Sequence, residues 1–189
     1  LNSGGAGEMG LIENKVKECF DGKIKERLTD DVKRIIIHRI DIGETAEEVC
    51  KKFQEVEEVS KYTGKQNPYT FFIRRDGTIE QACPLIEITA HARRFNKQGI
   101  GVGVIGDFRK HKPTNQQIEA LIYLCAILVT WKRKLIVSGH DELFGATNDP
   151  NKECPGKYLN VHELRLEIKK KIEYNNEKRL TESGISIYS

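Results

Sequence analysis

Three consecutive isoleucines, Ile35-Ile36-Ile37, sit inside the run Val32 to Ile40 and lead straight into His38. An unbroken β-branched run suits a strand covered on both faces rather than one that shows a side to water. Such a strand needs neighbours on either edge and a layer above and below. Thr45-Ala46-Glu47-Glu48 reads as a capping box opening a helix, with Val49, Phe53 and Val56 following at helical spacing to an end near Gly64. Tyr69 to Arg75 and Thr78 to Ala82 read as the arms of a hairpin about Asp76-Gly77. Ile100 to Gly106 is a glycine-punctuated strand, where missing side chains permit close backbone approach. Thr114 and Gln117 form a second capping box, and the helix it opens, apolar on most faces, runs to about Arg133. Leu135-Ile136-Val137 is a short strand. Asn160 caps a last helix with Leu164, Ile168 and Ile172 inward, and the chain turns polar beyond Glu173. A hairpin among alternating strands and helices predicts an α/β fold: a single domain with a central mixed β-sheet flanked by helices.

The 189 residues fit one domain, expected over 11–175. Residues 1–10 read as a flexible linker or cloning remnant, and 176–189 as a tail. With 38% hydrophobic and 31% charged residues the composition is that of a globular protein, expected to be monomeric. A net charge of +3 argues against a dedicated nucleic-acid surface while suiting a polyanionic target. No apolar run reaches bilayer-spanning length, so no membrane partner is expected. The start lacks the charged-then-apolar plan of a signal peptide, which predicts a cytoplasmic location. Cys19, Cys50, Cys83, Cys125 and Cys154 are odd in number and show no paired spacing. A reducing compartment follows, with four structural thiols and one ligand.

That ligand is Cys154, in the Pro-Gly turn of Lys152-Glu153-Cys154-Pro155-Gly156-Lys157. His38 and His140 stand where apolar strands stop. Two neutral imidazoles and one thiolate would leave a zinc ion with a net charge of about +1 and one open position, the layout of a hydrolytic site. The spacing is not that of a zinc finger, since no Cys-x-x-Cys pair occurs. Gly101-Val102-Gly103 lacks the third glycine and the following helix of a phosphate loop.

The ordered motifs resemble one family. They are Ile35-Ile36-Ile37-His38, Pro68-Tyr69-Thr70-Phe71-Phe72-Ile73, Arg75-Asp76-Gly77-Thr78-Ile79, Ala90-His91-Ala92, Phe95-Asn96, Ile100-Gly101-Val102, Gly106-Asp107-Phe108, Gly139-His140-Asp141 and Cys154-Pro155-Gly156. Each is weak alone, but the set spans about Val32 to Leu159 and is similar to the zinc-dependent N-acetylmuramoyl-L-alanine amidases, which include small phage lysozymes and peptidoglycan recognition proteins. The resemblance implies that His38, His140 and Cys154 hold one zinc ion and that Tyr69 and Lys152 are catalytic. It also implies that His91 and Asn96 line a substrate groove. The implied reaction is hydrolysis of the lactyl–L-alanine amide bond of peptidoglycan, in a phage or prophage endolysin reaching the wall after release. The alternative is a recognition module that binds the muropeptide stem without cutting it. The chain departs from the family pattern at Arg39-Ile40 after the first ligand, at Thr70, and at Ala82-Cys83-Pro84 after the hairpin.

Overall fold

The computed structural model describes residues 12–15, 25–55, 67–143 and 153–182. The long isoleucine run becomes β2 (Arg34–Ile40), following a two-residue strand β1 (Glu13–Asn14). Helix α1 (Ala46–Glu55) comes next; residues 56–66, where its sequence pattern would carry it onward, lie outside the described residues. Strands β3 (Phe71–Ile73) and β4 (Ile79–Gln81) form the expected hairpin with shorter arms, and β5 is Gly99–Ile105. Helix α2 (Asn115–Trp131), strand β6 (Ile136–Gly139) and helix α3 (Val161–Glu182) complete the order.

The strands lie in one sheet in the order β1-β4-β3-β5-β2-β6, with β3 and β4 antiparallel and the remaining pairs parallel. The mixed sheet follows from the chain itself: a tight turn joins antiparallel neighbours, while parallel neighbours need crossovers. The strand β2 sits between β5 and β6, so both of its edges are paired. Its faces divide by the period of two. Ile35 and Ile37 join a core with Val102, Val104, Leu121, Leu124, Leu164 and Ile168, which packs α2 and α3 on one side of the sheet. Ile40 joins Val49, Cys50, Tyr69, Phe72 and Ile105 on the other side, beneath α1. His38 alternates with Ile36 and Ile40 and therefore faces this second, thinner layer.

All three expected N-caps form, one with a variation; at α3, Asn160 Oδ1 accepts from His162 N at 3.0 Å and from Glu163 N at 3.2 Å. At α2, Thr114 Oγ1 accepts from Gln117 N and the Gln117 side chain accepts from Thr114 N, each at 3.1 Å. At α1, Thr45 Oγ1 accepts from Glu48 N at 3.2 Å, but the Glu48 carboxylate reaches one residue further back, to Glu44 N at 2.9 Å. The helix start is also held from afar: the buried Glu80 of β4 accepts from Ala46 N at 2.7 Å. The final helix runs to Glu182, past the polar switch at Glu173. The side chains of residues 173–179 and of Glu182 are exposed, and Lys178 pairs with Glu182 at i,i+4, so local propensity rather than burial sustains this stretch.

The glycines of β5 admit side chains rather than backbone. A Cβ at Gly99 or Gly101 would fall 2.8 Å from ring atoms of His91, and one at Gly103 would strike Ile40 Cδ1 and lie 3.0 Å from Tyr69 Cδ2. Three glycines at alternate positions thus clear one face of a strand, while Ile100, Val102 and Val104 fill the other.

Candidate metal centre

The sheet brings His38 and the end of β6 together directly. Because β2 and β6 are parallel neighbours, the residue following β6 lies beside the end of β2, and His140 N donates to Ile37 O at 3.2 Å. The two imidazoles face each other with centroids 4.5 Å apart. Cys154 is delivered by the turn after residue 152. Asp141 N donates to Cys154 O at 2.8 Å, and Tyr158 N donates to Phe108 O at 3.0 Å, which seats the turn on the loop after β5. Gly156 makes that seating possible. Its φ is +109°, and a Cβ there would lie 2.7 Å from the Phe108 backbone. Cys154 Sγ rests 3.7 Å from His38 Nδ1.

One donor atom each from His38, His140 and Cys154 fall within 4.8 Å of one another. The donor chemistry fits a tetrahedral soft-to-borderline cation with one position left open, as zinc prefers. Burial holds both imidazoles below their ordinary pKa, furthest for His38, so each is neutral, as a ligand must be. Burial also pushes the Cys154 thiol up to about 11, opposed by the nearby Arg39 guanidinium. The half-buried sulfur therefore stays a thiol near neutral pH and would ionise on holding a metal cation.

Tyr69 flanks the trio, its ring 5.0 Å from His38 and packed edge-on against Phe72. Burial raises its phenol well above the ordinary range, so the hydroxyl keeps its proton at neutral pH. Lys152 lies outside the described residues. Of the two residues expected on a substrate groove, His91 is buried and Asn96 is half-buried with its carbonyl oxygen turned onto the local backbone. The His91 ring nitrogens meet His38 Nε2 at 3.1 Å and Gly99 O at 3.3 Å, and the ring is buried. Asn96 Oδ1 accepts from His91 N at 3.1 Å and Ala92 N at 2.7 Å, which folds the turn that presents His91.

Two residues of the site region carry no motif of their own. Arg39, one of the departures from the family pattern, donates from Nη1 to Glu153 O, and its Nε lies 3.7 Å from Asp107 Oδ1. It thereby ties the strand bearing His38 to the residue before Cys154. Arg27 is 4% exposed and donates to Leu85 O, Asn96 O and Gly99 O, pinning the irregular segment 85–98 onto the start of β5. A lone arginine in a weakly patterned stretch gives no sequence signal of such a role.

The model of the N-acetylmuramoyl-L-alanine amidase family matches residues 28–157. A peptidoglycan-recognition protein of Drosophila simulans is 33% identical over 97 residues, a stretch covering 51% of this chain and 51% of that protein, so the match spans about half the relative's length. Among solved structures, an endolysin N-acetylmuramoyl-L-alanine amidase from Clostridium intestinale superposes with TM-score 0.62 at 22% identity, over 86% of this chain and 97% of that one. An endolysin from a Thermus scotoductus bacteriophage gives TM-score 0.66 at 20% identity, over 83% and 98%. The ectodomain complex of peptidoglycan recognition proteins LCa and LCx bound to tracheal cytotoxin gives 0.58 at 24% identity, over 79% and 92%. At these identities the superpositions establish the fold, a single domain built on a mixed sheet. With more than half its length under the family model and its histidines and cysteine gathered at one point, the chain belongs to the N-acetylmuramoyl-L-alanine amidase family.

Proposed function

We propose that this chain is a zinc-dependent hydrolase of the amide bond between the lactyl group of N-acetylmuramic acid and the L-alanine of the peptidoglycan stem. The observation that carries the reading is the convergence of His38, His140 and Cys154 within 4.8 Å. When bound, zinc supplies Lewis acidity that acidifies water and polarises an amide carbonyl. The protein's own groups do the rest. His38 and His140 are neutral because burial disfavours their charged forms, and Cys154 would hold the cation as a thiolate, its proton lost to solvent. Tyr69 keeps its hydroxyl proton and would donate it as a hydrogen bond to the oxygen on which negative charge develops. Lys152 would add an ammonium to the same oxyanion. Arg39 holds the backbone beside Cys154 and so fixes the thiolate relative to His38.

The role we favour is that of a phage or prophage endolysin. A recognition module without turnover is the competing reading, supported by the similarity to recognition proteins. The intact cysteine favours catalysis, since that module needs no third ligand. Metal analysis should find about one zinc per chain, and mass spectrometry of digested peptidoglycan should find free stem peptide. Turnover by Cys154→Ala equal to wild type would overturn the reading. Lys152→Ala should keep the metal and lose rate.

A further inference from the structure

We propose that His91 is a positioning residue of the zinc site: through a carbonyl–imidazole–imidazole relay it selects the ring nitrogen that His38 offers to the metal. The inference rests on the zinc reading above and assigns His91 an inward role instead of a place on the substrate groove.

The hydrogens of the relay follow by elimination from its far end. Gly99 O is a carbonyl and can only accept, so His91 Nε2, 3.3 Å away, carries a proton. A neutral imidazole has one N–H, so His91 Nδ1 presents a lone pair. The atom facing that lone pair at 3.1 Å is His38 Nε2, which therefore carries the proton of the second ring. His38 Nδ1 is left with its lone pair, and it is the nitrogen 3.7 Å from Cys154 Sγ. The reverse assignment would set the bare Nε2 of His91 against a carbonyl oxygen in a buried space, an unpaired acceptor facing an acceptor. A doubly protonated His91 is disfavoured as well, because the ring is buried and the Arg27 guanidinium, which shares the Gly99 carbonyl with it, is a positive charge close by. The two rings are nearly perpendicular, at 88°.

Several independent features hold the His91 ring in this orientation. Gly99 and Gly101 leave the slot it fills, as any Cβ at either would strike the ring. Asn96 Oδ1 fixes the His91 backbone by accepting its amide, and Arg27 fixes the Gly99 carbonyl. A ligand histidine whose other nitrogen donates to a fixed acceptor is locked in tautomer and rotation, and is a better base at the metal; loss of such a partner typically weakens metal binding by about 10–100-fold.

The test reads histidine tautomers and zinc affinity rather than activity. In metal-free 15N-labelled wild type, histidine nitrogen–proton correlation spectra should show His38 and His91 both in the Nε2–H form. Chelator competition on His91→Phe, which keeps the ring and removes both nitrogens, should show zinc affinity about 10–100-fold weaker in a folded protein. His91→Gln, whose carboxamide can accept from His38 and donate to Gly99 O, should recover most of that loss. An Nδ1–H tautomer for His38, or unchanged affinity in folded His91→Phe, would overturn the proposal. Should His91→Phe fail to fold, the wild-type tautomer pattern decides alone. Wild type that takes up no zinc defeats the hydrolase reading, whereas wild type and His91→Phe that bind zinc equally defeat only the relay.

Discussion

On the zinc reading, Cys154 stays a thiol until it takes up the cation. With its pKa at about 11, zinc uptake near pH 7.5 should release about one proton per site. Calorimetric heats should then vary with the ionisation enthalpy of the buffer by that amount, and proton-free uptake would contradict the thiol assignment. The buried imidazoles act oppositely on the metal-free fold. His91 is depressed from 6.5 to about 3, and His38 is depressed as well, so between those pH values the unfolded chain binds more protons than the native one. Stability is then fully present above about pH 6.5 and lost as pH falls toward 3, by a few kcal/mol on the order-of-magnitude scale of linkage. Urea midpoints of the metal-free protein across that range check the sign. Tyr69→Phe should leave metal content and midpoint nearly unchanged and lower turnover by roughly 100-fold, the usual cost of one oxyanion donor. These three residues stand out in the sequence because each carries chemistry at a strand end or turn. His91 stands out too, but its partners do not: residue 38 is 53 positions away, and nothing local says which nitrogen faces which atom.

Among the elements, β5 shows how a strand can be built for its neighbours. Its alternating glycines were legible as a gap, yet their occupants, His91, Ile40 and Tyr69, come from three other segments. Gly103→Ala should cost about 1–3 kcal/mol by overpacking, since Ile40 and Tyr69 must both move. A chemical denaturation curve superimposable on wild type would refute that packing account. The segment before β5 carries a costly burial of its own. Glu87 is 3% exposed with Oε2 unpaired, and burial raises its pKa from 4.5 to about 7. The native state therefore holds the extra proton between those values, and stability falls as pH rises through them. Glu87→Gln should flatten that decline, by on the order of 2 kcal/mol at pH 8, while keeping the contact with Asn67. The caps at Thr45 and Thr114 were readable because each hydroxyl's partner amide lies three residues on. The Glu80 cap on α1 was not, because strand pairing supplies it from 34 positions away.

At the level of the whole molecule, the three donor residues join β2, the end of β6 and the turn before α3. Zinc at 1,000 times its dissociation constant would add about 4 kcal/mol, which for a domain of this size is a rise of roughly 10 °C in melting temperature. Thermal melts with zinc and with a chelator measure it, and equal melting temperatures would mean that no native-state site exists. The amino-acid sequence by itself determined the periods of two and 3.6, the local helix caps and the hairpin turn, because each depends on residues a few positions apart, while the three candidate donors were singled out by ordered motifs spread over most of the chain. Only the tertiary structure decided the company those donors keep: Cys154 at 116 positions from His38, and Arg27 at 72 from Gly99. Such pairs exist because β5, β2 and β6 lie side by side, and that adjacency is a property of the assembled sheet, which no short window of sequence encodes.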